Sequence, residues 1–156
     1  MKKLIFAALL LACTVLAAQE KIRVACIGNS VTYGYGHKNP SESSYPSQLG
    51  RLLDKGYQVG NFGKSGATLL NKGHRPYTQQ SEYKAALEFA PDIAIIHLGL
   101  NDTDPRNWPN HSKEFIPDYL ALIDTLRKIN PKADIKICRM TPIFHWHHRF
   151  RSGTRD

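Results

Sequence analysis

The sequence predicts an α/β fold with a parallel sheet, because short apolar segments alternate with helical patterns along the chain. The apolar segments are too short for helices and are rich in Val and Ile, as strands buried on both faces are. We therefore predict a three-layer, flavodoxin-like sheet with right-handed crossovers and the strand order 2-1-3-4. The predicted strands are KIRVACI (21–27), YQVGNF (57–62), DIAIIHL (92–98) and DIKICRM (134–140).

Three helices are predicted between these strands. YPSQLGRLLDK (45–55) has a proline in its first turn, followed by leucines at helical spacing. SEYKAALEFA (81–90) begins with a serine, a good N-cap, and ends before Pro91. SKEFIPDYLALIDTLRKIN (112–130) carries apolar residues close to the helical period of about 3.6 and is closed by Pro131.

Composition indicates one globular domain. The chain has 156 residues, of which 42% are hydrophobic and 22% are charged, and it contains no repeat or low-complexity tract. The formal net charge of +8 is spread thinly except near the C-terminus. A nucleic-acid binder would carry a basic stripe, so we predict no nucleic-acid partner.

The N-terminus has the pattern of a secretory signal peptide, in which Lys2 and Lys3 precede an apolar stretch and small residues follow. We predict a signal peptide at 1–18 and an exported domain, periplasmic or extracellular, at 19–156. The apolar stretch is too short for a stable membrane span. As an alternative, LLAC predicts a lipoprotein anchored through Cys13.

Two cysteines, Cys26 and Cys138, remain after that cleavage. A disulfide would require their Cα atoms to lie within about 7 Å. Because the predicted order places another strand between theirs, we predict two free thiols.

In open parallel sheets, ligands bind beyond the carboxyl ends of the strands. GNS (28–30), GKSGATL (63–69), GLNDTD (99–104) and TPIFHWHH (141–148) follow the four predicted strands in that order. We therefore predict the functional site on these loops.

These loops contain the groups needed for acyl transfer. A turn after the first strand would hold the Ser30 hydroxyl outward, where it can attack a carbonyl if a base takes its proton. The oxyanion that develops needs preorganised donors, for which the Gly66 N–H and the Asn101 side-chain amide are candidates. Thr32 excludes the G-x-S-x-G elbow, and the dinucleotide and P-loop glycine patterns are absent after the first strand. We predict no cofactor.

Three motifs, in order, resemble those of the SGNH hydrolases, also called GDSL-type esterases and lipases. GNS (28–30) resembles the G-D-S block with Asn29 in place of aspartate, NFGKSGAT (61–68) resembles N-x-x-x-x-G-x-T, and GLND (99–102) matches G-x-N-D. The resemblance covers about residues 21–145. It implies the SGNH hydrolase fold, with Ser30 as nucleophile and Gly66 and Asn101 as oxyanion donors beside the Ser30 N–H.

The family's fourth block, D-x-x-H, supplies the base and the aspartate that orients it. None of the seven histidines in this chain has Asp or Glu three residues before it. We therefore expect a C-terminally truncated esterase, incomplete in fold and with little activity as given.

The aromatic residues Tyr33, Tyr35 and Trp108 on predicted rim loops favour a carbohydrate O-acetyl ester as substrate, although they could equally pack loop edges. A lipid or small-acyl ester is the second candidate. Two other functions stay open: a non-catalytic carbohydrate-binding module on the same fold, and an anion- or phosphate-binding domain. The histidines of HWHH (145–148) have no cysteine or carboxylate cluster nearby, so we predict no metal. His97, inside a strand, is interpreted as a core histidine.

Overall fold

The computed structural model describes residues 20–140. The predicted signal peptide, the alternative anchor at Cys13 and the histidines of 141–148 lie outside these residues. The described chain forms one parallel sheet of four strands in the order β2-β1-β3-β4, which confirms the predicted order. The strands are β1 (Ile22–Gly28), β2 (Tyr57–Gly63), β3 (Ile93–His97) and β4 (Asp134–Ile137).

The three predicted helices are present, each somewhat shorter than its sequence pattern. Three further helices of four residues each form where the sequence suggested only loops. In chain order the helices are α1 (Ser30–Tyr33), α2 (Pro40–Ser43), α3 (Tyr45–Leu52), α4 (Ser81–Glu88), α5 (Trp108–His111) and α6 (Phe115–Ile129).

Helices cover both faces of the sheet. On one face, α4 and α6 pack on alternate residues of the central strands and form the main apolar core. On the other face, α3 packs against β2, and Val24 and Cys26 of β1 are buried. The main core consists chiefly of Ala25, Ile27, Ala94 and Ile96 from the sheet, Leu98 just after β3, Ala86 from α4, and Tyr119, Leu122, Ile123 and Leu126 from α6.

The fourth strand is shorter than the predicted 134–140. Because β3 ends at His97, the ladder stops soon after Ile137, and the Cys138 N–H makes the last bond, to the Ile96 carbonyl at 2.9 Å. Within residues 20–140, β4 pairs with β3 alone, so its outer edge is open.

The two cysteines are free, and β3 lies between their strands. Cys26 is fully buried, and burial raises the pKa of its thiol to about 11. The thiol is therefore protonated and unreactive at neutral pH. Among residues 20–140, no helix is both long and apolar enough to cross a membrane.

Candidate active site

The loops after β1, β2 and β3 leave the sheet side by side. Gly28 lies in register with Gly63 on one side and with His97 on the other. Two backbone hydrogen bonds continue this alignment beyond the strands. The Asn29 N–H donates to the His97 carbonyl at 3.3 Å, and the Lys64 N–H donates to the Gly28 carbonyl at 2.9 Å. The candidate residues of the three loops therefore share one edge of the sheet.

Ser30 is the first residue of α1, not part of a simple turn as the sequence suggested. The helix forms because the buried Asn29 caps it, with Oδ1 accepting the Val31 N–H at 3.0 Å. Gly63 allows α1 to lie against the end of β2, since a Cβ there would come within 2.1 Å of the Tyr33 nitrogen. Ser30 itself is half-buried.

Gly66 occupies the third position of a reverse turn, in which the Ala67 N–H donates to the Lys64 carbonyl at 3.1 Å. Its φ of +79° is the value that a type II turn requires at this position, which explains the glycine. Within residues 20–140, the N–H groups of Gly66 and Ser30 have no acceptor.

Asn101 begins a short 3-10 turn after β3, and its side chain reaches the loop that carries Gly66. Its Nδ2 donates one hydrogen to the Ala67 carbonyl at 2.9 Å. The second amide hydrogen has no acceptor among the described residues. The structure thus brings Asn101 beside the Gly66 loop, while Ser30 lies on the neighbouring loop without a hydrogen bond to either residue in the described chain.

Asp102 connects the Asn101 turn to the loop that carries Gly66 through buried hydrogen bonds. Its carboxylate is fully buried and accepts the N–H groups of Leu69 and Leu70 at 2.9 and 2.7 Å. Burial raises the pKa of Asp102, although the two amide bonds act in the opposite direction. The sequence motif contained Asp102 but did not indicate this role.

Asn107 forms a second connection between loops, and no sequence motif predicted it. It is buried, and its Oδ1 accepts the His74 N–H at 2.9 Å. Its Nδ2 lies 2.9 Å from the carbonyl of Asn101 and 2.9 Å from Nδ1 of His74. The segment at His74 is thereby held against the Asn101 turn.

The aromatic residues predicted to surround the site differ in how they are packed. Trp108 packs edge-on against Phe115, with ring centroids 5.5 Å apart, so it supports a loop edge. Tyr35 is 77% exposed and Tyr33 is 46% exposed. These two tyrosines therefore present ring surface to solvent near Ser30.

The other titratable groups of the described chain do not form a metal centre. His97 is half-buried, and burial lowers the pKa of its imidazole, so it is neutral at neutral pH. Within residues 20–140, no group of three or more His, Cys, Asp or Glu side chains could hold a metal ion.

The sequence of this chain is similar to those of known proteins. Residues 26–155 match the model of the GDSL-like lipase/acylhydrolase family. An acetylxylan esterase from Xylanibacter ruminicola is 47% identical over 109 residues, which are 70% of this chain and 22% of that protein. The chain therefore spans about a fifth of that relative.

Solved structures share the fold. AlinE4, an SGNH-hydrolase family esterase, superposes with a TM-score of 0.55 at 22% identity, over 79% of this chain and 62% of AlinE4. A family 3 carbohydrate esterase from Clostridium thermocellum superposes with a TM-score of 0.53 at 18% identity, over 82% of this chain and 64% of that structure.

Proposed function

Because the chain belongs to the GDSL-like lipase/acylhydrolase family, we propose that it is the nucleophile-bearing part of a serine esterase that removes acyl groups, chiefly O-acetyl groups, from carbohydrate. Ser30 is the nucleophile. Gly66 and Asn101 supply the oxyanion hole together with the Ser30 N–H.

The observation that carries this proposal is the set of unused donors at one edge of the sheet. The N–H groups of Ser30 and Gly66 and one hydrogen of the Asn101 amide lack acceptors within residues 20–140. Donors fixed by the fold before substrate arrives can stabilise an oxyanion without reorganisation.

The reaction follows from these roles. The Ser30 hydroxyl attacks the ester carbonyl carbon while its proton passes to a base, and the carbonyl oxygen becomes an oxyanion in the hole. Collapse of this intermediate breaks the bond to the sugar oxygen, which takes the proton from the base and leaves as a hydroxyl group. Water, deprotonated by the same base, then attacks the acyl-enzyme, and its collapse releases the acid and returns the proton to Ser30. No histidine of the 156 residues fits the D-x-x-H pattern, so we propose that the base and its aspartate come from outside this chain.

Carbohydrate is the preferred substrate class for two reasons. The 47% identical relative is named an acetylxylan esterase, and the exposed rings of Tyr33 and Tyr35 can stack on sugar faces. A lipid or small-acyl ester ranks second.

The test is hydrolysis of acetylated xylan and of 4-nitrophenyl acetate by the full product of the gene and by the 156-residue chain alone. In the full product we expect Ser30→Ala to lower kcat by about 10³-fold or more, and Asn101→Ala by about 10²- to 10³-fold. The chain alone should show little hydrolysis, because it lacks the base.

Ser43→Ala, on the short helix α2, is the matched control and should leave kcat unchanged. Full activity in Ser30→Ala with a folded protein would disprove the assignment of the nucleophile. Rapid hydrolysis by the chain alone would disprove the assignment of the base to residues outside it.

We also propose that residues 1–18 are cleaved as a signal peptide and that the domain 19–156 is exported. The support is the charged, then apolar, then small-residue pattern of the N-terminus. N-terminal sequencing of the mature protein should begin at Gln19. A lipid-modified start at Cys13 would favour the lipoprotein alternative, and an intact Met1 would contradict both forms.

A further inference from the structure

The guanidinium of Arg75 lies directly beside Gly66, one of the proposed oxyanion donors. A Cβ built on Gly66 would lie 3.4 Å from Arg75 Nη1 and 3.5 Å from Arg75 Cδ, so the side chain extends over the Gly66 backbone. Arg75 is otherwise exposed to solvent. A positive charge therefore stands at the edge of the candidate site.

The backbone of Arg75 is held on both sides. The Thr68 N–H donates to the Arg75 carbonyl at 2.9 Å, and Thr68 also forms a bridge with Pro76. On the preceding residue, the His74 N–H donates to the buried Asn107. The starting point of the side chain is thus fixed relative to both Gly66 and the Asn101 turn.

Among the described residues, the carboxylates around this loop already have partners, whereas the Arg75 side chain has none. Within residues 20–140, Arg75 has no carboxylate within 4.0 Å and its side chain makes no hydrogen bond. The neighbouring pairs are Lys64–Glu82 at 2.8 Å, Lys72–Glu114 at 2.8 Å and Arg106–Asp104 at 2.9 Å, and Asp102 accepts two backbone N–H groups.

We propose that Arg75 is a specificity-determining residue that binds a carboxylate of the substrate next to the ester. The planar guanidinium forms paired hydrogen bonds with a carboxylate, and here it has no competing partner in the described chain. The carboxylate belongs either to the sugar, as in a uronic acid, or to the acyl group, as in a dicarboxylic half-ester. This inference rests on the proposed function, because the substrate reaches Arg75 by docking at Ser30 and Gly66.

The test is an NMR titration of the ¹⁵N-labelled chain that follows the Arg75 Nε–Hε signal and the Gly66 amide signal. The probes are glucuronate against glucose for the sugar carboxylate, and monomethyl succinate against methyl acetate for the acyl carboxylate. We expect one of the two carboxylates to shift both signals and to bind about two- to fivefold more tightly than its neutral counterpart, the range of an exposed ion pair. The carboxylate that does so identifies the source.

Charge-matched variants separate a specific site from general attraction to a basic protein. Arg75→Gln should abolish the preference for the carboxylate, and Arg75→Lys should retain part of it. Lys128→Gln removes the same charge near the end of α6, at the opposite end of the sheet from Arg75. This variant should keep the full preference for the carboxylate. Equal binding of charged and neutral probes, or a preference that survives Arg75→Gln, would overturn the proposal.

The outcome is independent of the test on Ser30. If Ser30→Ala keeps full hydrolysis while a carboxylate still shifts the Arg75 signal, the proposed function fails and the anion site stands. If Ser30→Ala abolishes hydrolysis and neither carboxylate moves Arg75, the esterase stands and this inference fails.

Discussion

Asn101 and Asp102 are neighbours in the chain but act in opposite directions. Asn101 turns its amide toward the Gly66 loop and keeps one hydrogen without an acceptor within residues 20–140, whereas Asp102 points into the interior and accepts two backbone N–H groups. In the proposed function, Asn101 therefore supplies a donor, and Asp102 holds its turn to the loop that carries Leu69 and Leu70.

The buried carboxylate gives the first prediction. Asp102→Ala would leave the N–H groups of Leu69 and Leu70 buried without an acceptor, each at a cost of about 1–3 kcal/mol. We expect the free energy of unfolding to fall by roughly 2–6 kcal/mol in urea denaturation.

Asp118 is the matched control, since it also accepts two N–H groups, both from Asn71, but at an exposed position. Water can replace the carboxylate there, so Asp118→Ala should cost about 1 kcal/mol or less. Equal losses in the two variants would contradict the role given to Asp102.

Asp104 gives a prediction for acid stability. Three bonds from Arg106 hold its carboxylate in the ionised form and lower its pKa to about 2. Because the folded-state pKa lies below the unfolded value of about 3.9, this contribution is present above about pH 4 and is lost as the pH falls toward 2.

We therefore expect the Tm to fall between about pH 4 and pH 2, and to fall less steeply in Asp104→Asn, as thermal melts would measure. Glu82 and Asp92, whose pKa values are also lowered, should keep part of the slope. An unchanged slope in Asp104→Asn would show that its bonds with Arg106 do not stabilise the fold in solution.

At the scale of elements, α6 buries one face of its amphipathic pattern and leaves the other face exposed. Leu126 is fully buried against the sheet, whereas Leu120 on the same helix is 55% exposed. The helical period predicted this division, because residues three and four apart share one face.

The two leucines form a paired test. Leu126→Ala should lower the free energy of unfolding by about 2–5 kcal/mol, since it leaves a cavity in the core. Leu120→Ala should cost less than about 1 kcal/mol, because alanine keeps helix propensity and little packing is lost. Chemical denaturation measures both, and a large loss for Leu120 would show that this face is covered in solution.

At the scale of the molecule, the β4 side of the sheet combines, within residues 20–140, an unpaired strand edge with exposed apolar side chains. β4 pairs with β3 alone, and Ile137 on β4 and Ile116 on α6 are 54% and 64% exposed. An open strand edge beside apolar side chains favours association between chains.

We therefore predict that Ile137→Lys reduces self-association of the 156-residue chain, as dynamic light scattering or analytical ultracentrifugation would show. Leu52→Lys, at an 84% exposed position on α3, removes an apolar group away from this edge and should have little effect. Equal effects of the two variants would assign the association to general surface hydrophobicity.

The strand order, the helix positions and the free cysteines were all predictable, and the structure agrees with them. The strands and helices follow from short-range signals: runs of Val and Ile, helical periodicity, and proline or serine at helix ends. The strand order follows from the topology rules for parallel sheets, and the free cysteines follow from that order. The short helix at Ser30 was not predicted, because it depends on the cap from Asn29 and on the space that Gly63 leaves beside β2.

The sequence alone determined the alternation of strands and helices and the placing of Ser30, Gly66 and Asn101 after successive strands, because these properties are local and the topology rules carry them to one edge. The tertiary structure decided how the loops are held. Separate parts of the chain are joined by the bonds that Leu69 and Leu70 donate to Asp102 and by the bond that His74 donates to Asn107. The position of Arg75 over Gly66 joins two further segments. Which buried donor meets which acceptor depends on the packed positions of both segments, and no local pattern in either segment encodes that meeting.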